Sequence, residues 1–451
     1  MPLRRNIPFC MLALATLSSR ALSQAAVPIT TIPDASVVSA QKFGSILGLT
    51  HLPNGEVLVN DAGRRQVLKL NASMSSSTIV IDSTPGTSNS YGPRATPMLR
   101  YLGDSSLFVD AASSSLLVID PSGKVTRAMS APNPRDLQFL GGAPAYVDDK
   151  GRLVYRAAMV MRMNAPAAGR APAMPSPPDS MAVLRADFDT RKVDTLGKVK
   201  MGSGTRASVA PGADGKMQVK MIINPINIVD DYAVLADGSV AFIRGQDYHV
   251  DMLSSDGQMI HGDKMPYDWK RLSDEDKQKM LDSAKAAAGR APTTGASGNG
   301  ATFSTGGGAG AASGASGATM TFVIAGGPVG GGDGGRSVAE GMAGGQPMAM
   351  AAPVIETVSL KEMSDYLPSI RSGAARPDLD GNLWVLPNTS AQSKDGELVY
   401  DVVNAKGQLT RRVRLPKGRS VVGFGARGIV YMMNGDRTTG FTLERSTIPT
   451  M

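Results

Sequence analysis

Residues 50–73 read THLPNGEVLVNDAGRRQVLKLNAS. Pro53-Asn54-Gly55 is a turn between two short apolar runs, because proline presets φ and glycine accepts the left-handed backbone a tight reversal needs. Asp61 opens a second polar loop that ends at Arg65, the run QVLKL follows, and STIVID supplies a fourth run shortly after. Four short strands joined by tight turns make one antiparallel meander.

The same pattern returns at residues 98–129, MLRYLGDSSLFVDAASSSLLVIDPSGKVTRAM. VLVNDAGRRQVLKLN and LFVDAASSSLLVIDP agree in apolar pattern and in the aspartate that opens the middle loop. Four further copies carry their first turn at Asp149-Lys150-Gly151, Asp237-Gly238, Asp380-Gly381 and Arg427-Gly428. Anchored on that turn, the copies fall near residues 55, 104, 151, 238, 381 and 428. Three of the five spacings match the period of roughly 40–50 residues of propeller blades, and the two long ones coincide with abrupt changes of composition. The sixth copy has only three strands, and ASVVSA (35–40) can supply the fourth. Pairing the two ends of the chain in one blade closes the ring and removes open sheet edges. The expectation is an all-β, six-bladed β-propeller over residues 30–447, in preference to two β-sandwiches.

The strand–Asp–turn–RRQVLKL unit resembles the repeat of NHL-type six-bladed propellers, and the turn pattern is similar to that of TolB-like propellers. The resemblance covers most of residues 35–447 outside the insertions. It rests on turn glycines, aspartates and β-branched runs, so it implies architecture and no activity.

Residues 1–25 read as a secretory signal peptide: Arg4 and Arg5, an apolar run from Ile7 to Leu17, then small residues with cleavage after Ser23 or Ala25. The apolar run is too short to span a bilayer. The single cysteine, Cys10, lies inside it. Export to the periplasm or the extracellular space is therefore expected, with no membrane span after cleavage. The net charge of +8 falls to about +5 without Arg4, Arg5 and Arg20, and it is scattered. That distribution argues against nucleic-acid binding.

Strands alternate in direction within a blade. Loops between second and third strands therefore share a face with the connections between blades, and nearly every long interruption falls there: 160–180, 200–228, 266–373 and 387–396. Loops on a rigid scaffold commonly carry binding sites. Within the longest interruption, between blades 4 and 5, Ser273 followed by Asp274, Glu275 and Asp276 predicts a capped helix in 266–290. Its stripe of Met280, Leu281, Ala284 and Ala288 is expected to lie on the propeller. Residues 291–352 are mostly Gly, Ala, Ser, Thr and Met, and are expected to be disordered apart from a strand at MTFVIAG.

His249, in Asp247-Tyr248-His249-Val250-Asp251, is the one candidate for catalysis, because neighbouring carboxylates can orient an imidazole as a base or metal ligand. His51 is expected near the opposite face, so the three histidines do not make one zinc site. Arg135, Asp136, Asp230, Asp231, Arg376 and Asp378 are assigned to blade entries at the channel mouth. With Asp247 and His249 they form the candidate ligand site. Such an aspartate cluster resembles the calcium cage of propeller lactonases, with Asp230 and Asp231 as ligands, although the Glu and Asn of that cage have no counterpart motif here. Alternating Asp and Arg also describe ion pairs between blades. Asp61 and Asp110 recur at one repeat position, which points to a structural role. Met159, Met161 and Met163 alternate as soft copper ligands would, and as a buried strand face would.

No nucleophile elbow or phosphate-binding glycine loop is present. The sequence thus favours an exported, non-catalytic propeller without a required cofactor, binding a protein or small molecule through its insertion-bearing face. A calcium-dependent lactonase or esterase and a methionine-rich copper protein are the alternatives.

Overall fold

The computed structural model describes residues 27–84, 90–110, 112–142, 144–158, 161–162, 178–202, 205–211, 217–290, 301–304, 319–323, 350–391 and 396–449. Blade 1 comprises Ile46–His51, Val57–Asp61, Gln66–Leu70 and Ser77–Ile81, paired antiparallel in chain order. Blade 2 comprises Met98–Arg100, Ser106–Asp110, Ser115–Ile119 and Val125–Met129. Blade 3 comprises Ala145–Val147, Leu153–Arg156, Ser180–Ala186 and Val193–Lys200. Blade 4 comprises Asp231–Val234, Val240–Arg244, His249–Leu253 and Met259–His261. Blade 5 comprises Ala375–Pro377, Leu383–Val385, Val399–Val403 and Leu409–Arg414. Blade 6 comprises Arg419–Phe424, Ile429–Asp436 and Gly440–Thr447, completed by Val37–Val38.

The chain is a six-bladed β-propeller closed by its N-terminal segment. Val37 pairs with Arg445 and Val38 with Glu444, antiparallel, and Phe43 bridges Phe441. One feature was not legible in the repeat: Ile29–Thr31 adds a fifth strand, parallel, to the outer strand of blade 5. The N-terminal segment therefore fastens two neighbouring blades.

Six apolar clusters fill the six seams between blades. Phe43, Ile46, Val57, Leu68, Tyr431 and Leu443 occupy the seam between blades 6 and 1, where the ring closes. Because strands are buried on both faces, odd and even residues of one strand serve different seams. Leu107 and Val109 face blade 3, whereas Phe108 faces blade 1. This accounts for strands that read as continuous apolar runs.

The six anchor turns share a left-handed residue: Gly55, Asp104, Gly151, Gly238, Gly381 and Gly428 all have φ between +58° and +83°. The turn also explains a misplaced residue. Asp378 follows the innermost strand of blade 5 instead of preceding it, so it lies at the first turn, on the face away from the insertions. There it accepts the N–H groups of Asp380 and Asn382 and the Trp384 indole N–H at 3.0 Å. Asp148 organises the equivalent turn of blade 3, accepting from Lys150 and Arg152.

The predicted helix spans Asp274–Arg290. The Asp276 N–H donates to Ser273 Oγ, and Ser273 N–H returns to the Asp276 carboxylate, so an aspartate closes the capping box. Met280 and Leu281 of the helix do not pack on a blade, where the sequence led us to expect the stripe to lie. Leu281 joins Ile226, Leu272, Val358, Met363 and Leu367 in a seventh cluster, with Met280 beside it. Each of these residues comes from the insertions, so the insertions supply a core of their own. A three-stranded sheet of Thr205–Pro211, Met217–Ile223 and Met350–Thr357 flanks it.

Strand Thr319–Val323 lies at the predicted MTFVIAG run. It pairs antiparallel with Ala301–Ser304 and parallel with Met161–Arg162. Most of 291–352 lies outside the described residues, as do the expected signal peptide, Met159 and Met163. Among the described residues, no helix is long and apolar enough to cross a membrane.

Candidate functional site

The innermost strand of each blade begins on the insertion-bearing face, and there the structure places two polar clusters. The first lies along blade 4. His249 opens the third strand, with Nδ1 at 2.8 Å from Asp247 and Nε2 at 3.2 Å from Asp251. Pairing of the third and fourth strands sets Asp251 opposite His261, whose Nδ1 lies 2.9 Å from the same carboxylate oxygen. The other oxygen of Asp251 accepts from Arg244 Nε at 2.8 Å. Burial pushes Asp251 upward, but hydrogen bonds from Arg244 and His261 and the Arg244 charge hold its carboxyl below the usual range.

Both ring nitrogens of His249 thus face carboxylates, which leaves neither directed at a substrate. His51 pairs with the Tyr431 hydroxyl at 2.8 Å, in the seam between blades 6 and 1. The convergence of His249 and His261 on Asp251 was missed from the sequence. The Asp256-Gly257 hairpin carried the signal, since its register sets 251 against 261. Among the described residues, no group of three His, Cys, Asp or Glu side chains is arranged to hold a metal ion.

The candidate channel-mouth carboxylates separate. Asp230 pairs with Arg244 Nη1 at 3.0 Å and accepts the N–H groups of Lys200 and Gly245. Asp231 is buried and accepts the Ala375 N–H at 2.9 Å, joining blade 4 to blade 5. Asp136 accepts from the Tyr155 hydroxyl at 2.5 Å and from Asn133, in the 3-10 segment Pro134–Gly142. Arg135 in the same segment is exposed.

Gly245 holds this arrangement close. A Cβ there would stand 2.0 Å from the Val229 carbonyl oxygen, and the Gly245 carbonyl accepts from Ser369 Oγ at 2.7 Å. Gly245→Ala is expected to cost about 2 kcal/mol in urea unfolding, because the clash is with backbone that must move. A loss under about 0.5 kcal/mol would show that the loop yields freely.

The second cluster spans blades 3 to 5. It contains Tyr146 and Arg156 from blade 3, Asp231 and Tyr232 from blade 4, and Arg376 and Tyr400 from blade 5. Arg371 adds to it from the loop that enters blade 5. Tyr146 and Tyr232 meet edge to face at 5.8 Å between ring centroids. Burial raises Tyr146 well above its ordinary value, with Asp231 and Tyr232 adding to the shift and Arg376 opposing it. Burial also raises Tyr400, opposed by Arg376 and Arg371. Burial pushes Asp231 up to about 6, although N–H groups of Ala375, Tyr232 and Gly373 and the Arg156 charge oppose it. Sequence reasoning found Asp231 and Arg376 here but missed Arg156 and Arg371. Arg156 had a signal, being the one charge in LVYRAAMV (153–160).

No protein-family profile matches the chain, and no curated protein matches it. Among solved structures, it is similar to a calcium-binding protein, regucalcin, from Agrobacterium tumefaciens. That pair shows 10% identity over 94% of this chain and 97% of the other, with a TM-score of 0.37. It is also similar to a member of the DUF4221 family from Bacteroides vulgatus, at 10% identity, 93% and 96% coverage and a TM-score of 0.41. Virginiamycin B lyase from Staphylococcus aureus gives 10% identity, 92% and 98% coverage and a TM-score of 0.33. Likeness at such identities concerns architecture alone, and the six blades are established by the strand pairing itself.

Proposed function

We propose that this protein is an exported, non-catalytic binding module that takes its ligand on the insertion-bearing face. One observation carries the reading: the carboxylates a divalent-metal hydrolase would need at the channel mouth are apart and engaged. Asp230 is held by Arg244, Asp231 by the Ala375 N–H and Asp136 by Tyr155, and Asp378 belongs to the other face. The insertion-bearing face, opposite Asp378, carries insertions with an apolar core of their own.

The test joins binding to turnover. The purified mature chain is screened by thermal shift against a small-molecule panel and against lactones and esters, with Ca²⁺, Mg²⁺ or Zn²⁺ present. NMR then follows each stabilising compound. The expected result is a compound that raises Tm and is recovered unchanged. Metal-dependent hydrolysis that disappears in Asp230→Asn would overturn the proposal, as would the absence of any stabilising compound. Fractionation of cells producing the full chain, with N-terminal sequencing, tests export. A start after Ser23 or Ala25 is expected, and an uncleaved cytoplasmic chain would contradict it.

A further inference from the structure

Several half-buried arginines of this propeller have carboxylate partners. Arg152 pairs with Asp148 at 2.7 Å, Arg412 with Asp401 at 2.8 Å, and Arg419 with Glu444 at 3.1 Å. Arg244 takes two carboxylates, Asp230 and Asp251. Arg411 and Arg445 lack one, and so does a group of three, Arg156, Arg371 and Arg376. All three are partly buried, and none forms an ion pair within 4 Å among the described residues. Arg371 Nη2 is moreover buried without a hydrogen-bond partner among them. A buried guanidinium N–H left unpaired costs about 1–3 kcal/mol or more, so folded chains seldom keep one without a use.

The three share one region. Arg156 ends the second strand of blade 3, Arg376 sits in the innermost strand of blade 5, and Arg371 lies in the loop that enters that strand. Arg371 and Arg376 both act on Tyr400, Arg376 also acts on Tyr146, and Arg156 acts on Asp231 and Tyr232. The region thus holds three cations and one carboxylate, Asp231, which Arg156 faces, beside three tyrosines. Burial pushes Arg156 and Arg371 below the ordinary arginine value, opposed in part by Tyr232 and Asp231 at Arg156 and by Tyr400 at Arg371.

We propose that Arg371, Arg376 and Arg156 form a binding site for a small carboxylate ligand at the channel mouth between blades 3 and 5. The proposal rests on the binding-module reading and gives it a ligand class. A planar carboxylate matches the fork of a guanidinium and can accept the orphaned Nη2 proton. The tyrosine rings suit a short carbon skeleton. Phosphate concentrates its charge on one centre beside Asp231, whereas succinate spreads two charges over separate carboxylates that different guanidiniums can take, so repulsion weighs more on phosphate.

The test is calorimetric titration of the full mature chain with succinate, with inorganic phosphate and chloride as reference anions at matched ionic strength. Succinate is expected to bind saturably and more tightly than phosphate, with chloride showing no saturation. Arg371→Lys keeps the charge but loses the fork, and is expected to weaken succinate about tenfold. Arg371→Leu and Arg376→Leu should abolish binding while circular dichroism and Tm report a folded chain. Arg127→Leu, on the exposed outer strand of blade 2, should leave affinity unchanged. No succinate binding, tighter phosphate binding, or affinity untouched by both Arg371 variants would overturn the site. If another compound is then bound unchanged, the module reading survives without this site. If succinate is bound through the arginines but some compound is hydrolysed, the module reading falls and the site stands.

Discussion

Replacing Phe43 with alanine is expected to lower the unfolding free energy by about 4 kcal/mol, with the urea m-value unchanged. Phe43 is fully buried and packs where the ring closes, among Ile46, Val57, Val59, Leu68, Tyr431 and Leu443. Its backbone exchanges two hydrogen bonds with Phe441, at 2.8 and 2.9 Å, and these survive the substitution. The loss is therefore transfer free energy plus a cavity that surrounding strands cannot collapse, since each is held in its own ladder. Leu47 is the internal control. It is four residues away and 45% exposed, so Leu47→Ala should stay within about 0.5 kcal/mol. Removing residues 27–43 altogether goes further. It deprives blade 6 of its outer strand and blade 5 of its parallel fifth strand, and should abolish a single cooperative transition. A Phe43→Ala protein that loses less than about 1 kcal/mol would show that the seam closes without this residue.

The blades were legible because each repeats one local code. A left-handed turn residue, an apolar run and an aspartate at a strand end are all short-range features that a chain must write explicitly. The closing strand at Val37–Val38 was legible for a global reason, namely that a three-stranded last copy needs a fourth edge. The added strand at Ile29–Thr31 was not, because it pairs outside the repeat and ITT carries no strand signal beyond its β-branched residues. The site was less legible than the fold. Asp378 was misassigned because the innermost strand of blade 5 is only Ala375–Pro377, so Asp378 follows it and falls on the opposite face. Arg371 was invisible, since its place depends on how a connection of more than a hundred residues returns to blade 5. What makes it notable is a missing partner, and that is a property of three-dimensional neighbours that no sequence pattern encodes.

Asp231→Asn is expected to remove a pH dependence worth on the order of 3 kcal/mol. Burial raises the Asp231 carboxyl to about 6, whereas in the unfolded chain it titrates near its ordinary value of about 3.9. Between those two values the folded state binds the extra proton, so its stability falls as pH rises. The contribution is fully present below about pH 4 and is lost once pH passes about 6. Asparagine has no charge to desolvate and can still accept the Ala375 N–H through its side-chain oxygen. The stability difference between variant and wild type should therefore move in favour of the variant by about 3 kcal/mol from pH 4 to pH 7. Carboxylates held low, Asp251 among them, titrate with the opposite sign, gaining stability as pH rises. They are common to both proteins and cancel in the difference, provided Asp231 does not share their partners. Urea unfolding of both proteins at pH 4, 5, 6 and 7 measures it. A flat difference would mean that Asp231 keeps its charge at no cost. Arg156 would then have to approach it more closely than its present distance, outside ion-pair range, allows.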